Sequence, residues 1–158
     1  MTTTQKSRSY WRKLNLNPDK ELVSDCTTRS LAFCLDKTSP KEYKALREKQ
    51  TEISVAISGK KTDWNAHYVF ESILRVNDFI KIIFIRKIPR WKLAEMLKEL
   101  KVKIFSESYG HVSPIQNGKI YDTWDCTRGM VYSILIPRIE SVAVLDLLKA
   151  NKIEYVMD

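Results

Sequence analysis

The chain has 158 residues and 44% apolar content, enough for one domain with its own core. Its three cysteines, Cys26, Cys34 and Cys126, make no disulfide framework, and no Cys-x-x-Cys or close Cys/His spacing offers a metal site. The net charge of +8 admits a polyanionic partner, whereas the longest apolar run, Phe79 to Ile85, is broken by Lys81 and too short to cross a bilayer. A polar start without a signal pattern completes the expectation of a cytoplasmic protein with no membrane contact, metal or cofactor.

Residues 1–9 are polar and basic with no apolar period, and read as a disordered arm. Residues 10–158 read as a single domain. After the turn signal Asn17-Pro18-Asp19, Ser24 and Asp25 cap a helix that carries Leu31, Ala32, Cys34 and Leu35, which puts Cys26 in its first turn. Ser39, Pro40 and Glu42 open a second helix in the reciprocal capping arrangement; Tyr43, Leu46, Gln50, Ile53 and Ile57 follow at helical spacing and Gly59 stops it. A third helix is expected from Asp63 to about Val76, closed by Asn77, and then a strand over Phe79–Ile85. Pro89 opens a helix through Trp91, Leu93, Ala94, Leu97 and Leu100. Strands follow at Val102–Phe105, Gly110–Ile115, Lys119–Trp124 and Met130–Ile136, and a helix over Glu140–Ala150 and a strand over Ile153–Val156 form a C-terminal extension. Helices first and strands afterwards predict an α+β fold with an antiparallel sheet.

The positive charge is uneven. Lys81 to Lys103 holds eight bases against Glu95 and Glu99, so Lys81, Arg86, Lys87, Arg90 and Lys92 are candidates for contacts to nucleic acid, although a solvated basic face explains the same pattern.

The chemistry centres on Cys26. Free N–H groups and the macrodipole at a helix start favour an anion and lower a thiol's pKa, while an ordinary cysteine in the same place would simply pack. His111 sits at the start of a hairpin strand, and Asn117-Gly118 is a strong two-residue turn signal. A two-residue turn pairs Gln116 with Lys119, Ile115 with Ile120, Ser113 with Asp122 and His111 with Trp124, so His111 and Asp122 share a face as diagonal neighbours. A three-residue turn would put Asp125 there instead. A nucleophilic cysteine needs a base, and the base needs a partner that fixes its orientation; Cys26, His111 and Asp122 supply those types. Trp124 is read either as a cover over the His–Asp contact or as a core residue. Arg29 reads as a surface ion pair, and His67 as a surface or capping histidine.

Asp25-Cys26-Thr27-Thr28-Arg29-Ser30-Leu31, Gly110-His111-Val112 and Gly118-Lys119-Ile120-Tyr121-Asp122-Thr123-Trp124-Asp125 resemble a group of small bacteriophage proteins that look like compact relatives of papain-like and bacteriocin-processing cysteine peptidases. The resemblance spans roughly residues 15–137. It implies a papain-like fold, a triad of Cys26, His111 and Asp122 acting through a thioester on a peptide or protein substrate, and the cytoplasm of a host cell. Cys26 and His111 lie closer in sequence than the roughly 130 to 150 residues of papain relatives, so the sheet should be minimal. Lys20 stands where the family has an oxyanion-donating Gln, which leaves Asn17 or Asn15 as substitutes. The alternative is a papain-like shell without turnover that binds a host protein or nucleic acid.

Overall fold

A computed structural model describes residues 1–21 and 24–158. In chain order the elements are α1 (Thr3–Arg8), β1 (Trp11–Lys13), α2 (Cys26–Cys34), α3 (Pro40–Ser58), α4 (His67–Val76), β2 (Phe79–Pro89), α5 (Arg90–Met96), β3 (Ile104–Ser108), β4 (His111–Gln116), β5 (Lys119–Asp122), β6 (Met130–Pro137), α6 (Ser141–Ala150) and β7 (Tyr155–Met157). The strands form one seven-stranded sheet in the order β1-β5-β4-β3-β6-β2-β7. The fold is α+β, with helices on both faces of the sheet.

Successive side chains along a strand point to opposite faces, and β6 shows the result. Ile134 and Ile136 join Ile82, Ile104, Ile120, Leu93, Leu97, Val144 and Leu148 in the core under α5 and α6. Leu135, between them, joins Phe105, Val112, Leu31, Tyr43, Phe70 and Leu74 in the core under α2, α3 and α4. Both strand neighbours of the central β3 are antiparallel to it, which leaves it buried along its whole length.

Four expectations need correction. The sheet is mixed: β1 runs parallel to β5, with Trp11 opposite Ile120 and Lys13 opposite Asp122. Three residues, two of them exposed, carry no alternation to read. Residues 1–9 contain α1, held by a capping box between Thr2 and Gln5 and docked by Lys6, which pairs with Glu95 and lies over Trp91. The C-terminal helix and strand are part of the core and sheet, since Val144 and Leu148 are fully buried and β7 pairs with β2. Finally, Lys81 and Arg90 are not surface bases. Lys81 pairs with Glu71 and Glu107, and Arg90 is fully buried, donating to Ser106 Oγ at 2.9 Å, Ser108 Oγ at 2.8 Å and the Cys126 carbonyl at 3.1 Å. Arg86, Lys87 and Lys92 remain exposed.

The hairpin turn has two residues. Ile115 pairs with Ile120 and Gln116 with Lys119, and Asn117 and Gly118 take φ of 51° and 72°. Gly118 is needed twice over: its positive φ disfavours a side chain, and a Cβ would meet the Lys98 Cβ at 2.7 Å.

Candidate active site

Asp25 takes the position before α2 but makes no capping bond to the helix. Its carboxylate is claimed elsewhere, by the Asn17 amide at 2.7 Å, the Tyr43 hydroxyl and the Arg29 guanidinium. Among the described residues the first-turn N–H groups of α2 therefore have no side-chain acceptor, and Cys26, the first helical residue, sits in their field. Fully buried Gln50 of α3 holds this turn in place: it accepts from Thr28 Oγ1 at 2.6 Å and donates to Thr27 Oγ1 at 3.2 Å and the Trp64 carbonyl at 3.1 Å.

The hairpin delivers the base. His111 opens β4 and Asp122 ends β5, and His111 Nε2 lies 2.6 Å from Asp122 Oδ2. The same carboxylate accepts from Ser113 Oγ at 2.8 Å and from the Thr123 N–H at 2.7 Å. With Nε2 taken by the carboxylate, Nδ1 is the ring nitrogen available to the thiol. Asp125 does not reach the imidazole; its Oδ1 accepts from the Thr127 N–H at 3.1 Å and from Thr127 Oγ1 at 2.6 Å. Trp124 is half exposed, with its ring centroid 4.9 Å from that of His111 and tilted by 48°. It covers the imidazole rather than filling the core.

The electrostatics follow from these contacts. Burial pushes the Cys26 thiol up, but hydrogen bonds from His111 and the Val112 N–H, with the charges of His111 and Arg29, outweigh it and the net direction is down. Burial alone would lower His111, yet its hydrogen bonds to Asp122, Cys126 and Cys26 raise it to about 11. Asp122, against its own burial, is lowered to about 2 by His111, Ser113 and the Thr123 N–H. Each of the three shifts favours the charged form of its group. Cys34 on the same helix behaves oppositely, because burial pushes its thiol far up.

Three residues join the site that the sequence did not mark. Arg29 is buried rather than superficial, and it bridges Asp25 to Asp122, whose Oδ1 lies 3.5 Å from Nη2. Cys126 is buried, with Sγ 3.3 Å from Asp122 Oδ2 and 3.4 Å from Ser113 Oγ. His67 lines the same groove of about 190 Å³ as Cys26 and His111. The spacing of Arg29 one turn after Asp25 was a usable signal for a pair, but nothing local shows that the pair is internal. Asn17 is not brought to the groove: its amide is spent on Asp25, and it lines a separate hollow of about 650 Å³. Asn15 and Lys20 contact each other's backbone carbonyls outside the groove.

Known proteins offer no guide. The chain matches no family model, no curated protein and no solved structure. The chemistry is therefore read from the geometry alone.

Two groups among the described residues bring ligating atoms together, His111 with Asp122 and Cys126, and His67 with Glu71 and Glu107. In the first, the closest pair of atoms already shares a hydrogen bond; in the second, the Lys81 ammonium pairs with both glutamates. No helix is long and apolar enough to cross a membrane among the described residues.

Proposed function

We propose that the protein is a cysteine hydrolase of papain-like architecture, cleaving a peptide, isopeptide or related amide bond through a thioester on Cys26. The observation that carries this reading is the 2.6 Å contact between His111 and Asp122 in a groove that Cys26, at a helix start, lines together with the imidazole. The chain order of cysteine, histidine and aspartate supports the papain-like resemblance, and with it an origin among bacteriophage proteins.

In the proposed sequence, the Cys26 thiolate attacks the scissile carbonyl and the C–S bond forms as the carbonyl electrons move to oxygen. The uncapped N–H groups of the α2 first turn stabilise that oxyanion. His111 Nδ1–H then protonates the leaving amine, the C–N bond breaks and the acyl group remains on sulfur. Neutral His111 next deprotonates a water, which attacks the thioester; the acid leaves and the thiolate–imidazolium pair is restored. Asp122 holds the tautomer and orientation throughout.

The test is single-turnover reaction with an activated ester. Mass spectrometry should find one acyl group on Cys26, a burst of leaving group should precede slower turnover, and Cys26→Ala should abolish both. Acylation of another residue, or none at all, refutes the reading. Binding of nucleic acid as the main function is less well supported, since two of its five candidate bases, Lys81 and Arg90, are internal.

A further inference from the structure

A second histidine–carboxylate pair stands at the wall of the Cys26 groove, and the proposed reaction does not use it. His67 is the first residue of α4, and its side chain is 63% exposed with Nδ1 3.0 Å from Glu107 Oε2. Glu107, in the middle of β3, is fully buried. It accepts from the Tyr132 hydroxyl at 2.9 Å and Ser133 Oγ at 2.9 Å, and Lys81 Nζ lies 3.6 Å away. A carboxylate this deep is costly to desolvate unless every oxygen is answered by a donor, and here every donor is in place. One consequence of the arrangement reaches the surface: the His67 ring is fixed. Nδ1 is bound to Glu107, the ring packs on Phe70 with centroids 5.2 Å apart, and Nε2 points along the Tyr132 hydroxyl at 3.4 Å.

The groove is lined by His67, His111, the Asn65 amide and Tyr132, and by no aspartate or glutamate among the described residues. No hydrogen bond among the described residues engages the Asn65 side chain, so its N–H groups are free for a ligand. The one hydroxyl proton of Tyr132 goes to Glu107, which leaves the Nε2 edge of the fixed His67 ring and the free Asn65 amide as the donors for a carboxylate.

We infer that this wall reads a carboxylate next to the scissile carbonyl, so that the substrate is an acidic peptide; the inference rests on the cysteine hydrolase reading for its link to cleavage. His67 is then a residue that sets specificity, with Nδ1–H on Glu107 and Nε2–H on the substrate anion. The carboxylate has two sources, an Asp or Glu side chain or a free C-terminus.

The experiment has two arms on the intact chain. In the first, electrophilic peptide probes that alkylate Cys26 carry Glu or Gln beside the warhead, and a second pair carries a free or amidated C-terminus. The carboxylate member of one pair should react about tenfold faster than its amide partner, the size of one charge-assisted hydrogen bond, and the pair that shows it identifies the source. His67→Gln should reduce that ratio toward one; each ratio compares two probes on the same thiol, so a change in Cys26 reactivity cancels. Equal rates for both pairs in the unaltered protein, or a preference that survives His67→Gln, overturn the inference. In the second arm, Cys26→Ala is titrated with N-acetylglutamate and with N-acetylglutamine amide, which carries no carboxylate, and the His67 and Asn65 NMR resonances are followed. Shifts with the glutamate alone support the carboxylate site even where no probe reacts with Cys26, which would sink the hydrolase reading separately. Equal shifts, or none, overturn it.

Discussion

Asp122→Asn keeps the shape of the side chain and removes the charge that holds the imidazolium. The carboxylate answers His111 at 2.6 Å, Ser113 at 2.8 Å and the Thr123 N–H at 2.7 Å. A hydrogen bond to a charged group contributes ~1.5–3 kcal/mol, which as a difference between protonation states is about one to two pKa units. His111 should fall from about 11 by about that much, which an NMR titration of its ring reads directly. At pH 6 the imidazole stays protonated after such a fall, so the charge that helps to lower the Cys26 thiol is still present and the loss falls on catalysis. Turnover at pH 6 should drop by as much as ~10⁴, because an amide can fix the wrong tautomer. Asp125→Asn is the control. Its carboxylate serves Thr127 and not the imidazole, so the reaction rate should stay within about twofold, given that no charge near the thiol changes. An unchanged rate in Asp122→Asn, or an equal loss in Asp125→Asn, would refute the assignment of Asp122.

Arg29→Met should destabilise the fold by ~3–5 kcal/mol in urea titration, because it leaves the buried Asp25 carboxylate without a charged partner. Gly118→Ala should cost ~1–3 kcal/mol through its positive φ and the Lys98 contact, whereas Gly59→Ala, with open space around it, carries the φ cost alone; thermal melts compare them. The pH dependence has two limbs: the lowered Asp122 stabilises above 3.8 and loses its contribution as pH falls through about 2, and the raised His111 stabilises below 6.5 and loses its contribution as pH rises through about 11. The stability difference between the unaltered protein and His111→Gln should thus be greatest between about pH 4 and 6.5 and shrink at either extreme, as urea titrations across pH would show.

The parts of the site that were legible in the sequence depend on local geometry. Asn117-Gly118 selects a two-residue turn, that turn fixes the register, and the register alone makes His111 and Asp122 neighbours. The Ser39-Pro40-Glu42 start and the Gly59 stop of α3 are equally local, with Ser39 Oγ accepting from the Glu42 N–H at 3.2 Å and Gly59 at a φ of 73°. Closing of α4 shows the limit: the left-handed residue is Asp78, at a φ of 62°, rather than Asn77, since both types tolerate that conformation. What stayed hidden depends on partners far along the chain. Nothing near Arg90 announces that Ser106, Ser108 and the Cys126 carbonyl will receive its guanidinium, and nothing near Lys81 announces Glu107. Both therefore read as surface bases. His67 is a surface residue at a helix start, as expected, but its partner Glu107 comes from β3, three elements further along the chain, and nothing near His67 announces it.

The buried polar residues behind Cys26 form a line of alternating charge. Asp25 pairs with Arg29, Arg29 with Asp122 at 3.5 Å and Asp122 with His111 at 2.6 Å, and His111 lines the groove beside Cys26, whose thiol its charge helps to lower. Neutral donors, Tyr43 and Asn17, terminate the line at Asp25. Stability gives little reason to keep such a line, since well-packed apolar replacements of buried ion pairs are often neutral or stabilising by ~1–4 kcal/mol. Chemistry does give one. Each charge is held by the next, so the negative end is carried to a sulfur that borders the groove, while the carboxylate that anchors the line stays in the interior. The line also crosses from α2 to the β4–β5 hairpin through Arg29, so one guanidinium sets the helix that carries the nucleophile against the strand that carries the anchoring carboxylate. The expected minimal sheet is in fact seven-stranded, yet a chain of 158 residues has few other ways to fix the distance between a thiol and its base, and a buried ionic line does so without adding residues.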